Sequence, residues 1–133
     1  MARRPHFLAP LTQPTGGQEW LFADGTIEPI ATRVTPAFDS ASRRQGLLGR
    51  AALGDDEALA IAPCSAVHTF GMQFAIDLLF ADRDGKVIKV REALRPNRIS
   101  AGWGAFAVIE VASGTIARTG LKPGSRLEFR RAG

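Results

Sequence analysis

The run Phe74-Ala-Ile-Asp-Leu-Leu-Phe80 most limits what this chain can fold into. Phe74, Ile76, Leu78 and Phe80 fall on one face of an extended strand, and Ala75, Asp77 and Leu79 on the other. Asp82-Arg-Asp-Gly85 follows at once, and then Lys86-Val-Ile-Lys-Val-Arg91, so the pattern is strand, tight turn, strand. The same reading extends outward along the chain. Ala58–Ala62 places Leu59 and Ile61 on one face, and Ala105–Val111 and Ser125–Arg130 read as further strands. Trp20–Ile27 reads as two strands around an Asp24-Gly25 turn. Thr35-Pro36 resembles a helix start, a hydroxyl cap before a proline at the first helical position, with Gly49 as the stop. The expected fold is mainly β: a single compact β-sandwich or barrel with one short helix near residues 36–48.

A length of 133 residues corresponds to one domain. Pro5, Pro10, Pro14 and Gly16-Gly17 interrupt the start without periodicity, so residues 1–17 are expected to form a flexible tail and residues 18–133 the β-rich domain. Hydrophobic residues make up 45% of the chain, enough for a core of its own. No apolar run approaches the roughly 20 residues that span a bilayer, so no membrane partner is expected. Met1–Pro10 has no continuous apolar stretch of the kind a secretory signal needs. Cys64 is the only cysteine and cannot form an internal disulfide, which fits a reducing compartment; the expected location is cytoplasmic.

The net charge of +4 comes from 14 arginines and 3 lysines set against 13 acidic residues, with the excess at the two ends of the chain. Only 8% of residues are aromatic and none is tyrosine, a weak basis for stacking on bases, so nucleic acid is disfavoured as a partner. Phosphate-loop, dinucleotide-binding, paired-cysteine and nucleophile-elbow patterns are all missing. Two histidines, His6 and His68, cannot build a histidine-rich metal centre. No cofactor and no metal are expected.

What remains is the segment Cys64–Asp77. Cys64, His68 and Asp77 supply a thiol, a base and an orienting acid, the groups of a nucleophilic enzyme. On an extended strand Cys64 and His68 would stand about 13 Å apart, too far for proton transfer without a turn between them. The plainer reading is a small buried thiol and a histidine hydrogen-bonded near a turn. Asp77 and Glu110 are carboxylates inside apolar strands, fit either to meet a ligand or to pair with Arg43, Arg44 or Arg50. Lys89, Arg91, Arg95 and Arg98 form a basic strand face and loop, fit for solvent or for a protein or nucleic-acid partner. Gly71, between Phe70 and Met72, marks a position suited to positive φ.

Taken in order, Arg44-Gln-Gly-Leu-Leu-Gly-Arg50, His68-Thr-Phe-Gly-Met72, Ile76-Asp77-Leu-Leu-Phe80, Asp84-Gly85, Glu110 with Gly114, and Gly120 with Gly124 resemble the domain-of-unknown-function 192 family over roughly residues 30–130. The resemblance implies a compact, jelly-roll-like, mainly β domain and no agreed activity. Members carry Trp-Met-Lys-Asn-Thr and Pro-Leu-Asp where this chain has Phe70-Gly-Met-Gln-Phe74 and Ala75-Ile-Asp77. Met72 and Asp77 are kept; the departures fall at Gly71, Gln73 and Ala75. The leading expectation is a binding module for a small polar ligand. Its rim would draw on His68, Thr69, Met72, Asp77 and Glu110, with Arg44 or Arg50 orienting the carboxylates. The alternatives are a Cys64–His68 nucleophilic enzyme and an interaction domain using the basic face.

Overall fold

The computed structural model describes residues 5–12 and 19–131. Among the described residues, ten strands are arranged in three sheets. The largest contains β3 (Arg33–Ala37), β4 (Glu57–Ile61), β9 (Ala107–Ala112), β6 (Ile76–Ala81) and β7 (Val87–Leu94), neighbours in that order. β3 and β4 run parallel, and the other pairs in this sheet are antiparallel. A second sheet sets β1 (Glu19–Ala23) between β10 (Leu127–Arg131) and β2 (Pro29–Ala31). The third is a ribbon of β5 (Ala66–His68) and β8 (Ile99–Ala101). The fold is therefore mainly β, as the strand patterning implies, and no sheet closes into a barrel.

The alternation read along β6 is realised on both of its faces. Leu79 and Ala81, with Ala58, Ala60, Ile109 and Val111 of the neighbouring strands, pack against Leu21, Ile30, Leu127 and Phe129 of the three-stranded sheet. Ile76, Leu78 and Phe80, with Leu59, Ile61 and Val108, pack on the other side under Leu47, Leu53 and Met72. The large sheet is thus the middle of three layers and is covered on both sides. That is why all six residues of β6 and all six of β9 are buried, Asp77 and Glu110 included.

The helix expected from Thr35-Pro36 begins later and is shorter. Thr35 and Pro36 belong to β3, which lies at the edge of its sheet, where a residue without an N–H is tolerated. Helix α1 runs over Ser40–Gln45, capped by Asp39, whose Oδ1 accepts the Ser42 N–H at 2.7 Å. Gly46, with φ of 47°, closes it. A second short helix, α2 (Thr115–Thr119), was not evident from periodicity.

Part of the segment expected to be a flexible tail is packed. Ala9–Thr12 form a 3-10 turn, the Phe7 N–H donates to the Arg83 carbonyl at 2.8 Å, and Leu8 is fully buried in the core between the two larger sheets. Residues 1–4 and 13–17 of that segment lie outside the described residues.

Candidate functional site

A pocket of about 500 Å³ opens between α1 with the loop after it, β5, and the face of the large sheet that carries Leu59 and Leu78. Glu110 of β9 stands at its floor. It pairs with Leu59 on one side and Leu78 on the other, in the middle of an apolar sheet face. The residue is 4% exposed, and its carboxylate makes no hydrogen bond or ion pair among the described residues. Burial alone raises this carboxyl from 4.5 to about 7, because the charged form has lost water and gained nothing in exchange. Gly46 passes over it: a Cβ at that position would stand 3.9 Å from Glu110 Oε1.

The walls come from three places. Leu47 and Leu48 follow α1, Val67 lies on β5, and Met72 closes the far side, with Gly71 beside it at φ 81°, the positive value its sequence context suggests. Arg43 and Arg44 supply positive charge from the last turn of α1. Arg43 is tied down, since Nη1 donates to the Phe38 carbonyl at 2.7 Å and Nη2 to Ser40 Oγ at 3.3 Å. Arg44 donates only through Nε, to the Ser40 carbonyl at 3.3 Å. His68 stands at the mouth with its ring stacked on Phe70, centroids 5.4 Å apart.

Cys64 also lines the pocket. Its thiol donates to the Ala66 carbonyl at 3.2 Å rather than to His68. Burial raises the thiol above its ordinary pKa, that hydrogen bond lowers it, Glu110 nearby adds to the rise, and Arg43 opposes it. A nucleophilic cysteine needs the reverse, an electropositive setting that favours thiolate. Cys64 and His68 therefore share a pocket without forming a relay, and Asp77, the third group of the enzyme reading, does not line it.

Three expected rim residues stand elsewhere. Asp77 pairs with Val111, so its side chain is on the face of the sheet opposite Glu110. It is fully buried and engaged: Oδ1 accepts from the Ala93 N–H at 2.8 Å, and Oδ2 accepts from Gly114 at 3.2 Å and Ile116 at 2.9 Å. The Ala93 amide is freed by a bulge between β6 and β7, and the other two are unsatisfied donors at the start of α2. Thr69 is buried, donating its hydroxyl to the Arg95 carbonyl at 2.6 Å and accepting the Arg98 N–H at 2.9 Å; it ties two loops together. Arg50 pairs with Glu57 at 2.6 Å, and Glu57 lies 3.4 Å from Arg33, which also holds Asp56. That network fixes the approach to β4. On the basic face Lys89 is turned onto the Phe80 ring and donates to the Ala101 carbonyl.

Sequence reasoning set Arg43 only among possible carboxylate partners, joined Cys64 to His68 in the enzyme alternative, and singled out none of Leu47, Leu48 and Val67 as site residues. The signal available was Gly46, a glycine closing a short helix beside two arginines. No group of three or more His, Cys, Asp or Glu among the described residues is placed to hold a metal ion. No helix among them is long and apolar enough to cross a membrane.

Fold and pocket together define a three-layered, mainly β domain with a cleft between its central sheet and the layer that carries α1 and β5. The chain belongs to the domain-of-unknown-function 192 family, described as "uncharacterized ACR", whose model matches residues 20–129. No curated protein matches it. Two solved structures share the fold. One, from Sinorhizobium meliloti 1021, is described as a "putative transcription regulator"; it is 23% identical with a TM-score of 0.73, and the match covers 88% of this chain and 98% of that one. The other, a protein of unknown function from Novosphingobium aromaticivorans DSM 12444, is 25% identical with a TM-score of 0.72 over 87% of this chain and 89% of that one.

Proposed function

We propose that this chain is a binding module whose small polar ligand sits in the pocket above Glu110. One observation carries the reading: a buried carboxyl without a partner among the described residues, at the floor of a cleft open to solvent. Burying a polar group unpaired costs about 1–3 kcal/mol, and more when it is charged. The other buried carboxyl, Asp77, meets three backbone donors and has a structural use. Glu110 has no such use within the fold, and a ligand bearing a hydrogen-bond donor would satisfy it. A cleft of this volume falls within the range of small-molecule sites, about 300–1,000 Å³. In this reading Arg44, His68 and Met72 flank the ligand and Glu110 meets it, while Asp77, Thr69 and Arg50 serve the fold.

The test is an amide-shift map of the full chain titrated with a mixed panel of sugars, nucleotides and amino acids. Shifts converging on Gly46, Cys64, Met72 and Glu110, and weakened in Glu110→Gln, are the expected result. A panel that leaves those amides unmoved overturns the reading.

A further inference from the structure

The pocket has two unlike poles. At the floor stands the Glu110 carboxyl, which finds no cation among the described residues. At the rim stand Arg43 and Arg44, neither within ion-pair distance of a carboxylate among the described residues. Arg43 has both terminal nitrogens occupied, whereas the terminal nitrogens of Arg44 remain available as the fork that grips a carboxylate. The apolar part of the lining comes from Leu47, Leu48, Val67 and Met72, with Ser40 and Gln45 also on the wall.

Each single-charged ligand leaves one pole opposed. A bare ammonium gains Glu110 but enters past two guanidiniums. A bare carboxylate gains Arg44 but leaves Glu110 unpartnered and repels its charged form. A molecule with both groups satisfies both poles and lays its methylenes along the walls.

Building on the reading that this cleft binds a ligand, we infer that the ligand is a small zwitterion, with its ammonium on Glu110 and its carboxylate on the Arg44 fork. The ammonium requires Glu110 ionised, so binding to this protein releases a proton wherever the empty site holds one. Besides Arg43 and Arg44, the charged or titratable groups lining the pocket are Cys64, with its proton on the Ala66 carbonyl, and His68 at the mouth.

Calorimetric titration and amide-shift mapping of the full chain, using the ω-amino acids from glycine to aminohexanoate, test this. Each probe is matched by the alkylamine and the carboxylate of equal length. One amino acid should bind at least about tenfold more tightly than either match, the worth of one extra charge-assisted hydrogen bond. Glu110→Gln should remove its advantage over the carboxylate, and Arg44→Ala its advantage over the amine. With a carboxyl that titrates near neutrality, binding should tighten about tenfold between about pH 6 and about pH 8, and Glu110→Gln should flatten that dependence. A native-like amide spectrum in each variant excludes misfolding, and Arg44 is exposed enough that its loss leaves the core alone. A carboxylate that binds as well as its amino acid, or pH-independent binding, overturns the inference. Sugars or nucleotides moving the pocket amides while no amino acid does so would also overturn it, yet leave the cleft as a ligand site. If no probe of either set moves them, both fall.

Discussion

Glu110 is the residue at which the proposed function and stability pull apart. Its carboxyl titrates near 7 in the fold against 4.5 in the unfolded chain, so between those values the folded state holds a proton that the unfolded state has lost. Stability is therefore fully present below the unfolded value and declines as pH rises through the folded one. At about 1.4 kcal/mol per pH unit the loss amounts to about 3 kcal/mol once both states are ionised. Glu110→Gln removes the titration and keeps the shape. In urea unfolding, the variant should therefore gain about 3 kcal/mol on the native chain between about pH 4.5 and about pH 8. Parallel stability curves across that range would show that the carboxyl is solvated or paired after all. The sequence displayed Glu110 as an acid between Ile109 and Val111 but held no sign of its isolation. Partnership depends on which side chains a third layer brings over the strand, and that is set by loops far away in the chain.

At the scale of elements, the long strands were legible and the short ones were not. β6, β7, β9 and β10 announce themselves by alternation and by turns such as Asp82–Gly85. β5 and β8 have three residues each, too few to establish a period, and β3 is disguised by Pro36, whose missing N–H is harmless only because the strand lies at an edge. Asp77 was legible as an acid in a strand, though its task was not. It acts as a remote cap, joining β6 to the bulge at Ala93, where φ is 49°, and to α2, whose own cap residue Gly114 offers no side chain. Asp77→Ala would take the acceptor from three N–H groups, that of Ile116 buried, and should cost on the order of 2–3 kcal/mol, read as a lower urea midpoint with unchanged slope. Pocket binding by the remaining folded protein should be unaffected, because the carboxylate faces the other side of the sheet. An unchanged midpoint together with weakened binding would return Asp77 to the site.

For the molecule as a whole, the three layers divide the labour. The interface carrying Glu110 opens into the cleft, and the other interface, between the large sheet and β1, β2 and β10, holds the larger cluster of buried apolar residues. The amino-terminal segment helps to close that interface. Leu8 is 0% exposed among Leu21, Leu79, Ile109 and Leu127, while Phe7 stacks on Phe129 with centroids 5.9 Å apart. Nothing local in the sequence marks this, since prolines at 5 and 10 read as a break and a single apolar pair has no period. The consequence is measurable. Leu8→Ala removes a buried side chain from a core that can collapse only partly, and should cost about 2–4 kcal/mol in thermal or urea unfolding. A loosely attached segment would instead show a change within about 0.5 kcal/mol, as surface substitutions do. The same variant should leave the pocket amides Gly46, Cys64 and Met72 at their native shifts, because two layers of the fold would then be doing separate work: one holding the domain together, the other free to keep an unpaired acid open to a ligand.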